Sequence, residues 1–167
     1  MNKYLLGLDI GSSSVKAALV QVDSGNTIAV CQSPQEELEI SSPQPGWAEQ
    51  DPETWWHHAK ASFRLAINKS GIDPRDISAI GISYQMHGLV CVDKDFVPVR
   101  PSIIWCDSRA AAIGDQAFNA LGQDFCLKHY LNSPGNFTAS KLKWVKENEP
   151  NVYERILRSC CREILSP

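Results

Sequence analysis

The chain opens with two apolar segments, residues 4–10 and 15–22, which are separated only by the Gly-Ser-Ser-Ser sequence at 11–14. Short apolar runs bounded by glycine and serine are typical of β-strands. A third strand is predicted over 27–35, after the Asp-Ser-Gly-Asn turn at 23–26. Parallel neighbours need a crossover of a dozen residues or more, so two short turns in succession predict an antiparallel meander.

A helix is predicted after the Pro- and Gly-containing segment 41–46, which cannot hold regular structure. Asp51 suits the N-cap and Pro52 the first helical position, and apolar residues then recur at helical spacing until about Ser70. Further on, we predict a core strand over 76–83, a strand over 89–92, a helix over 109–121 capped by Asp107 or Ser108, and a helix from Thr138. This order predicts an α/β domain of the ribonuclease-H-like, actin-like type, with a mixed sheet flanked by helices.

Composition excludes several classes of protein. The net charge is −3 and the sequence pI about 5.8, so no basic surplus favours nucleic acid. The first apolar run is interrupted at Asp9, and no segment is long enough to cross a membrane, which predicts a cytoplasmic protein without a signal peptide. The six cysteines lack C-x-x-C spacing, which argues against a structural metal or a disulfide framework.

A carboxylate stands where the first strand meets its turn, in the sequence GLDIGSSSVK at 7–16. The turn can direct backbone N–H groups and serine hydroxyls at phosphate oxygens, while Asp9 can hold magnesium directly or through water. The glycine spacing is not that of a P-loop. A plain hairpin turn with a solvent-facing Asp9 is the alternative.

The sequence Gln85-Met86-His87-Gly88 ends the fourth predicted strand with side chains that suit a ligand. Gln85 and His87 offer donors and acceptors for sugar hydroxyls, and Met86 offers an apolar wall. Gly88 leaves room for a close approach to the backbone. A histidine with a purely structural role in a turn is the alternative.

A third candidate group follows at residues 103–109, IIWCDSR. Trp105 can stack on a sugar face, whereas Asp107 and Arg109 are better explained by a structural pair. Three further tryptophans, Trp47, Trp55 and Trp56, are predicted to serve packing.

In order along the chain, these stretches resemble the FGGY family of carbohydrate kinases and, within it, the xylulokinases. The matching sequences are GLDIGSSSVK (7–16), WAEQDPETWW (47–56), QMHG (85–88), RPSIIWCDSR (100–109) and FTASKLKWVKENEP (137–150). The resemblance implies a phosphate and magnesium site at Asp9, Gly11, Ser12, Ser13, Ser14 and Lys16. It implies sugar contacts at Gln85, Met86, His87, Trp105 and Asp107.

The resemblance also implies an activity, the ATP- and Mg²⁺-dependent phosphorylation of a ketopentose, D-xylulose to D-xylulose 5-phosphate. Family members have two actin-like domains and a catalytic aspartate that would lie beyond Pro167, so this chain would be an incomplete, inactive N-terminal part. A homodimer is possible. Gluconokinase or ribulokinase activity, a non-catalytic sugar-binding module, and an actin-like or chaperone-type ATPase remain alternatives. Cys106-Asp107-Ser108-Arg109 replaces the Asn-Asp-Gly-Arg usual in xylulokinases, which leaves the sugar specificity open.

The resemblance covers 1–156 and stops after Ile156, leaving a tail at 157–167. Its last nine residues, SCCREILSP, can be back-translated so that the neighbouring frame encodes IMLPGDFIA, which resembles the continuation of family members. We therefore expect a one-nucleotide slip near Ile156 to have put the tail out of frame. On this hypothesis Cys160 and Cys161 have no functional meaning, and the tail packs poorly or changes the course of the chain.

Overall fold

A computed structural model describes residues 2–160. The chain forms two compact units. Of the described residues, the first unit contains 2–39 and 53–85, and the second contains 40–52 and 86–160. The segment 40–52 therefore leaves the first unit and returns to it, which no local sequence pattern predicts.

The first unit is a four-stranded sheet with one long helix, α1 (Pro52–Ser70), almost all of which belongs to it. The strands are β1 (Tyr4–Ile10), β2 (Val15–Gln21), β3 (Thr27–Ser33) and β5 (Ile77–Tyr84), in the spatial order β3-β2-β1-β5. The first three pair antiparallel, which confirms the predicted meander, and β5 lies parallel to β1.

One face of this sheet packs on α1. Alternate residues of a strand point to the same face, so the buried side chains of β1–β3 form one apolar layer. That layer and Ala66 of α1 make up the core of the unit: Leu6, Ala17, Leu19, Ala29 and Ala66. Trp55 is buried, whereas Trp56 is exposed with Lys60 over its ring, so only one of these two neighbours serves packing.

The prediction that β5 is a core strand is wrong. Six consecutive residues, 78–83, are exposed, and the side chains of Ile80 and Ile82 are 61% and 58% exposed. The cause is tertiary, because α1 covers β1–β3 and the described residues include no strand on the outer edge of β5. An apolar run alone cannot tell a central strand from an edge strand.

The second unit combines short strands with helices. Its elements are β4 (Glu49–Gln50), β6 (Val90–Val92), β7 (Ser102–Ile103), β8 (Arg158–Cys160), α2 (Ala111–Leu121), α3 (Gln123–Tyr130), α4 (Thr138–Asn148) and α5 (Pro150–Tyr153). β4 pairs with β7, and β6 with β8, both antiparallel. Leu89, Cys91, Ile103 and Val145 form its core.

Three details differ from the sequence-based predictions. The helix expected from Arg109 begins at Ala111, and no side chain caps it, so neither Asp107 nor Ser108 is its cap. Helix α3 was not predicted. The start of the predicted out-of-frame tail forms β8, while residues 161–167 lie outside the described part of the chain. No helix among the described residues is long and apolar enough to span a membrane.

Candidate functional site

The hairpin between β1 and β2 is a tight turn. The Gly11 N–H donates to the Ser14 carbonyl at 3.0 Å, and the Leu38 N–H donates to the Ser13 carbonyl at 2.7 Å. A Cβ at Gly11 would lie 3.0 Å from the Ser14 oxygen, so the turn has little room for a larger residue. Local chemistry thus fixes the turn that follows Asp9.

Asp9 belongs to a row of polar residues that crosses the sheet. It pairs with Lys16 on one side and with Ser83 on the other, and Lys16 pairs with Gln32. Paired residues point to the same face, and Ala17 beside Lys16 is buried under α1, so the row lies on the opposite face. Asp9 and Lys16 are both exposed there. The sheet therefore brings together two of the residues predicted to bind phosphate.

On the same face of the sheet, the residues beside this row are small. Gly7 pairs with Ala18 and Gly81, and a Cβ added at Gly81 would meet nothing within 4 Å. The described residues contain no group of three acidic, histidine or cysteine side chains that could hold a metal alone. The Asp9 carboxylate fits a magnesium ion that shares its coordination with phosphates and water, while the Lys16 ammonium and the serine hydroxyls fit the phosphate oxygens.

Gln85 follows β5 directly and carries a buried amide. Its Oε1 and Nε2 are shielded from solvent and have no hydrogen-bond partner among the described residues. Buried polar atoms are rarely left unpaired, since each costs about 1–3 kcal/mol. An unsatisfied amide is the arrangement expected of a side chain that binds a polar ligand.

His87 adopts the left-handed conformation, with φ of 63°. No pattern in the sequence predicts this backbone conformation at the histidine. The imidazole stacks on Phe137, with 5.2 Å between ring centroids and 20° between planes. Met86 beside it is 69% exposed.

Trp105 lies in a second loop of the same unit. Ile103 and Ile104 before it are completely buried, whereas its indole is 49% exposed. The Asn136 side-chain amide donates to the Trp105 carbonyl. Phe137 belongs to the stretch 137–150 that carries the family resemblance, whereas Asn136 lies just before it, and the sequence predicts no site role for either. Their contacts to the two loops depend on the tertiary structure.

Asp107 is not placed to contact a sugar, which corrects the role implied by the resemblance. Its carboxylate accepts from the Ala48 N–H at 2.6 Å and pairs with Arg109 at 2.7 Å, and its side chain is fully buried. Arg109 also pairs with Glu49 at 2.7 Å and lies 3.8 Å from the Trp47 ring centroid. The Asp/Arg pair is structural, as the residues alone favoured.

The five described cysteines are free thiols. Burial raises the pKa of Cys91 to about 12, so this thiol stays protonated at neutral pH. Cys106, next to Trp105, is exposed.

Comparisons with known proteins agree on one family. The family model for the N-terminal domain of FGGY carbohydrate kinases matches residues 4–163, seven residues beyond the boundary predicted at Ile156. A xylulose kinase of Escherichia coli is 34% identical over 151 residues, which are 90% of this chain and 30% of the relative. This chain therefore spans about 30% of that relative's length.

Solved structures show the same fold. The xylulose kinase of Rhodospirillum rubrum superposes with a TM-score of 0.83 at 28% identity, covering 96% of this chain and 32% of that one. A gluconate kinase of Lactobacillus acidophilus superposes with a TM-score of 0.80 at 25% identity, covering 97% and 32%.

Proposed function

Because the chain belongs to the FGGY family of carbohydrate kinases, we propose that it forms the N-terminal part of an enzyme that phosphorylates a ketopentose, D-xylulose, with ATP. The observation that supports this most is the unsatisfied buried amide of Gln85 next to Met86 and His87. Sugar kinase activity follows from the family. The choice of xylulose depends on this element and on the xylulose kinases among the relatives.

The first unit would serve the phosphates. Asp9 would hold a magnesium ion directly or through water, while Lys16 and the turn formed by Gly11, Ser12, Ser13 and Ser14 would bind phosphate oxygens. Magnesium, when bound, neutralises the charge that develops on the transferred phosphoryl group. Asp9 would thus fix the charge balance at the phosphates without touching the sugar.

Residues 85–87 and Trp105 would serve the sugar. Gln85 and His87 would hydrogen-bond sugar hydroxyls, Met86 would supply an apolar wall, and Trp105 would stack on a sugar face. Asp107 has no place in this set because its carboxylate is committed to Arg109 and Ala48. The base that accepts the hydroxyl proton would lie outside this chain, so the chain alone would be inactive.

Gluconate remains the second candidate substrate, because a gluconate kinase superposes on this chain almost as well as the xylulose kinase does. The two TM-scores are 0.80 and 0.83. The exposed Cys106 stands where xylulokinases usually carry asparagine, which keeps specificity open. A thermal-shift panel of pentoses, hexoses and sugar acids on the complete enzyme separates these substrates.

Two substitutions in the complete enzyme test the proposal. Asp9→Asn should lower kcat at least about 100-fold and leave sugar binding unchanged, because it removes charge only at the phosphates.

His87→Ala should raise the sugar KM about 5- to 150-fold, the equivalent of about 1–3 kcal/mol, and leave the ATP KM unchanged. Normal turnover in the first variant, or a normal xylulose KM in the second, contradicts the assignment.

A further inference from the structure

Lys141 is a buried cation that the proposed reaction does not use. It lies in the first turn of α4 and is 0% exposed. Its Nζ donates to the His87 carbonyl at 2.7 Å and to the Ile104 carbonyl at 3.0 Å. These two carbonyls belong to different loops, one carrying His87 and the other continuing into Trp105. One ammonium therefore ties the two loops together.

Burying an ammonium group at this position is energetically unfavourable in itself. Removing it from water costs several kcal/mol unless hydrogen bonds replace its hydration, whereas a methionine of similar length would occupy the space without that cost. The two short hydrogen bonds to carbonyl groups are the compensation that the structure shows. The position therefore requires a donor that can bridge two acceptors, and lysine has three N–H donors on a long stem.

The His87 loop needs such a constraint. Left-handed φ is uncommon for residues other than glycine, so surrounding contacts must hold His87 there. Three side-chain contacts to His87 and Gly88 come from residues 137–141: Lys141 holds the His87 carbonyl, Thr138 Oγ1 donates to the Gly88 carbonyl at 3.2 Å, and Phe137 stacks on the imidazole. The backbone pair between Leu89 and Ile103 follows directly in the chain. Of the three side-chain contacts, only that of Lys141 also reaches the other loop.

The Trp105 loop depends on the same segment. The Ile104 carbonyl accepts from Lys141 and also from the Asp107 N–H at 3.2 Å, while Asn136 holds the Trp105 carbonyl. The start of α4 and the residues before it thus contact both loops, in addition to the backbone pair that joins Leu89 directly to Ile103 at 2.8 and 3.1 Å. Lys141 adds a bridge between the two residues that precede Gly88 and Trp105.

We propose that Lys141 is a positioning residue of the sugar site, whose ammonium, together with the Leu89–Ile103 backbone pair, holds His87 and Trp105 at the spacing that receives the sugar. This inference rests on the proposed function, because it takes His87 and Trp105 as the sugar contacts. Lys141 itself touches no substrate. Its effect is on how well the other two residues fit one.

Kinetics of Lys141→Met in the complete kinase test the positioning role. We expect the sugar KM to rise at least tenfold, the ATP KM to stay unchanged and kcat to change less than about threefold. A merely structural lysine would instead lower the amount of active enzyme and leave the sugar KM alone. Lys143→Met is the matched control, because Lys143 is on the same helix, is about half exposed and pairs with Glu147. Equal sugar KM values in the two variants would overturn the proposal.

NMR of the 167-residue chain supplies a readout that needs neither activity nor a stable variant. In the unsubstituted chain, the Lys141 Nζ protons should exchange slowly with water and correlate with the carbonyl carbons of His87 and Ile104. Exchange as fast as that of Lys143 would overturn the proposal. In Lys141→Met, both carbonyl ¹³C resonances should move, and in Lys143→Met neither should. If the complete protein phosphorylates no sugar while these resonances behave as expected, the proposed function fails and the tie between the loops stands.

Discussion

Arg109 shows how a charged residue can be enclosed without a ligand. Its guanidinium lies over the Trp47 ring and 5.0 Å from the Trp144 ring centroid, with Glu49 and Asp107 balancing its charge. Removing one member of such a buried pair typically costs about 3–5 kcal/mol, because an uncompensated charge remains. The network therefore fixes the backbone directly after Trp105. Its residues would contribute to the proposed sugar site only in this way.

The cysteines allow a residue-level test of the second unit. Iodoacetamide at pH 8 should alkylate Cys106 readily and leave Cys91 unmodified, because the pKa of Cys91 is raised to about 12 and its thiolate fraction is then about 10⁻⁴. Peptide mapping by mass spectrometry measures both sites in one sample. In urea, both thiols should react, which controls for the reagent. Alkylation of Cys91 at the rate of Cys106 in the native chain would contradict the described burial.

At this scale, the sequence predicts the residues that turns and strand ends control. Asp9 and Lys16 share a face because strand alternation requires it, and Trp105 is exposed directly after buried Ile104. Asp107 was assigned to the sugar because a family motif contains it, but its burial depends on Glu49 and Ala48, about sixty residues away in sequence. Lys141 was overlooked for the same reason, since its acceptors lie in two distant loops.

Among the secondary-structure elements, those with strong local patterns were predicted closely. The hairpin strands β1 and β2 and helix α1 match within one residue, because short turns, Pro52 and helical spacing define them locally. Helix α3 has exposed apolar residues, such as Phe125 and Leu127, rather than one buried stripe, so its pattern indicated no helix. The two-residue strands β4 and β7 exist only through their pairing with each other.

Gly114 of α2 offers an element-level test. A Cβ added there would clash with the Cα and N atoms of Gly135, so this face of the helix packs directly against backbone. Gly114→Ala should lower the free energy of unfolding by about 1–3 kcal/mol, because backbone atoms must move and the gain of about 1 kcal/mol in helix propensity does not offset it. Urea unfolding followed by circular dichroism measures the change.

The matched control is Asn119→Ala, at an exposed position of the same helix. Alanine there improves helix propensity without a new contact, so the stability should stay the same or rise by a few tenths of a kcal/mol. A Gly114→Ala chain as stable as the Asn119→Ala chain would show that the segment around Gly135 yields easily.

For the chain as a whole, the division into two units separates the proposed phosphate residues from His87 and Trp105, while Gln85 of the proposed sugar set is the last residue of the first unit. The phosphate row belongs to the sheet of the first unit, and His87 and Trp105 belong to the second.

The reading-frame hypothesis for residues 157–167 is also a statement about the whole chain, and sequencing the encoding DNA decides it. Codons that encode no kinase-like sequence in the neighbouring frame would exclude a slip near Ile156.

The exposed edge of β5 leads to a prediction about association. Residues 77–84, ISAIGISY, contain no charge and no proline, the two features that usually protect an edge strand from pairing with another chain. Ile80 and Ile82 add an exposed apolar face to that edge. We expect the 167-residue chain to associate with itself as its concentration rises, measured by sedimentation velocity.

Introducing a charge on the β5 edge distinguishes strand pairing from non-specific association through apolar residues. Ile82→Lys should shift the chain towards monomer, because pairing with a second copy would bring two lysines close together and bury part of each. Leu127→Lys is the control, since Leu127 is an exposed apolar residue of α3, 44% accessible, on a helix rather than on a strand. Equal loss of association in both variants would mean that scattered apolar residues drive it. Loss in Ile82→Lys alone identifies the edge of β5 as the surface through which the chain associates.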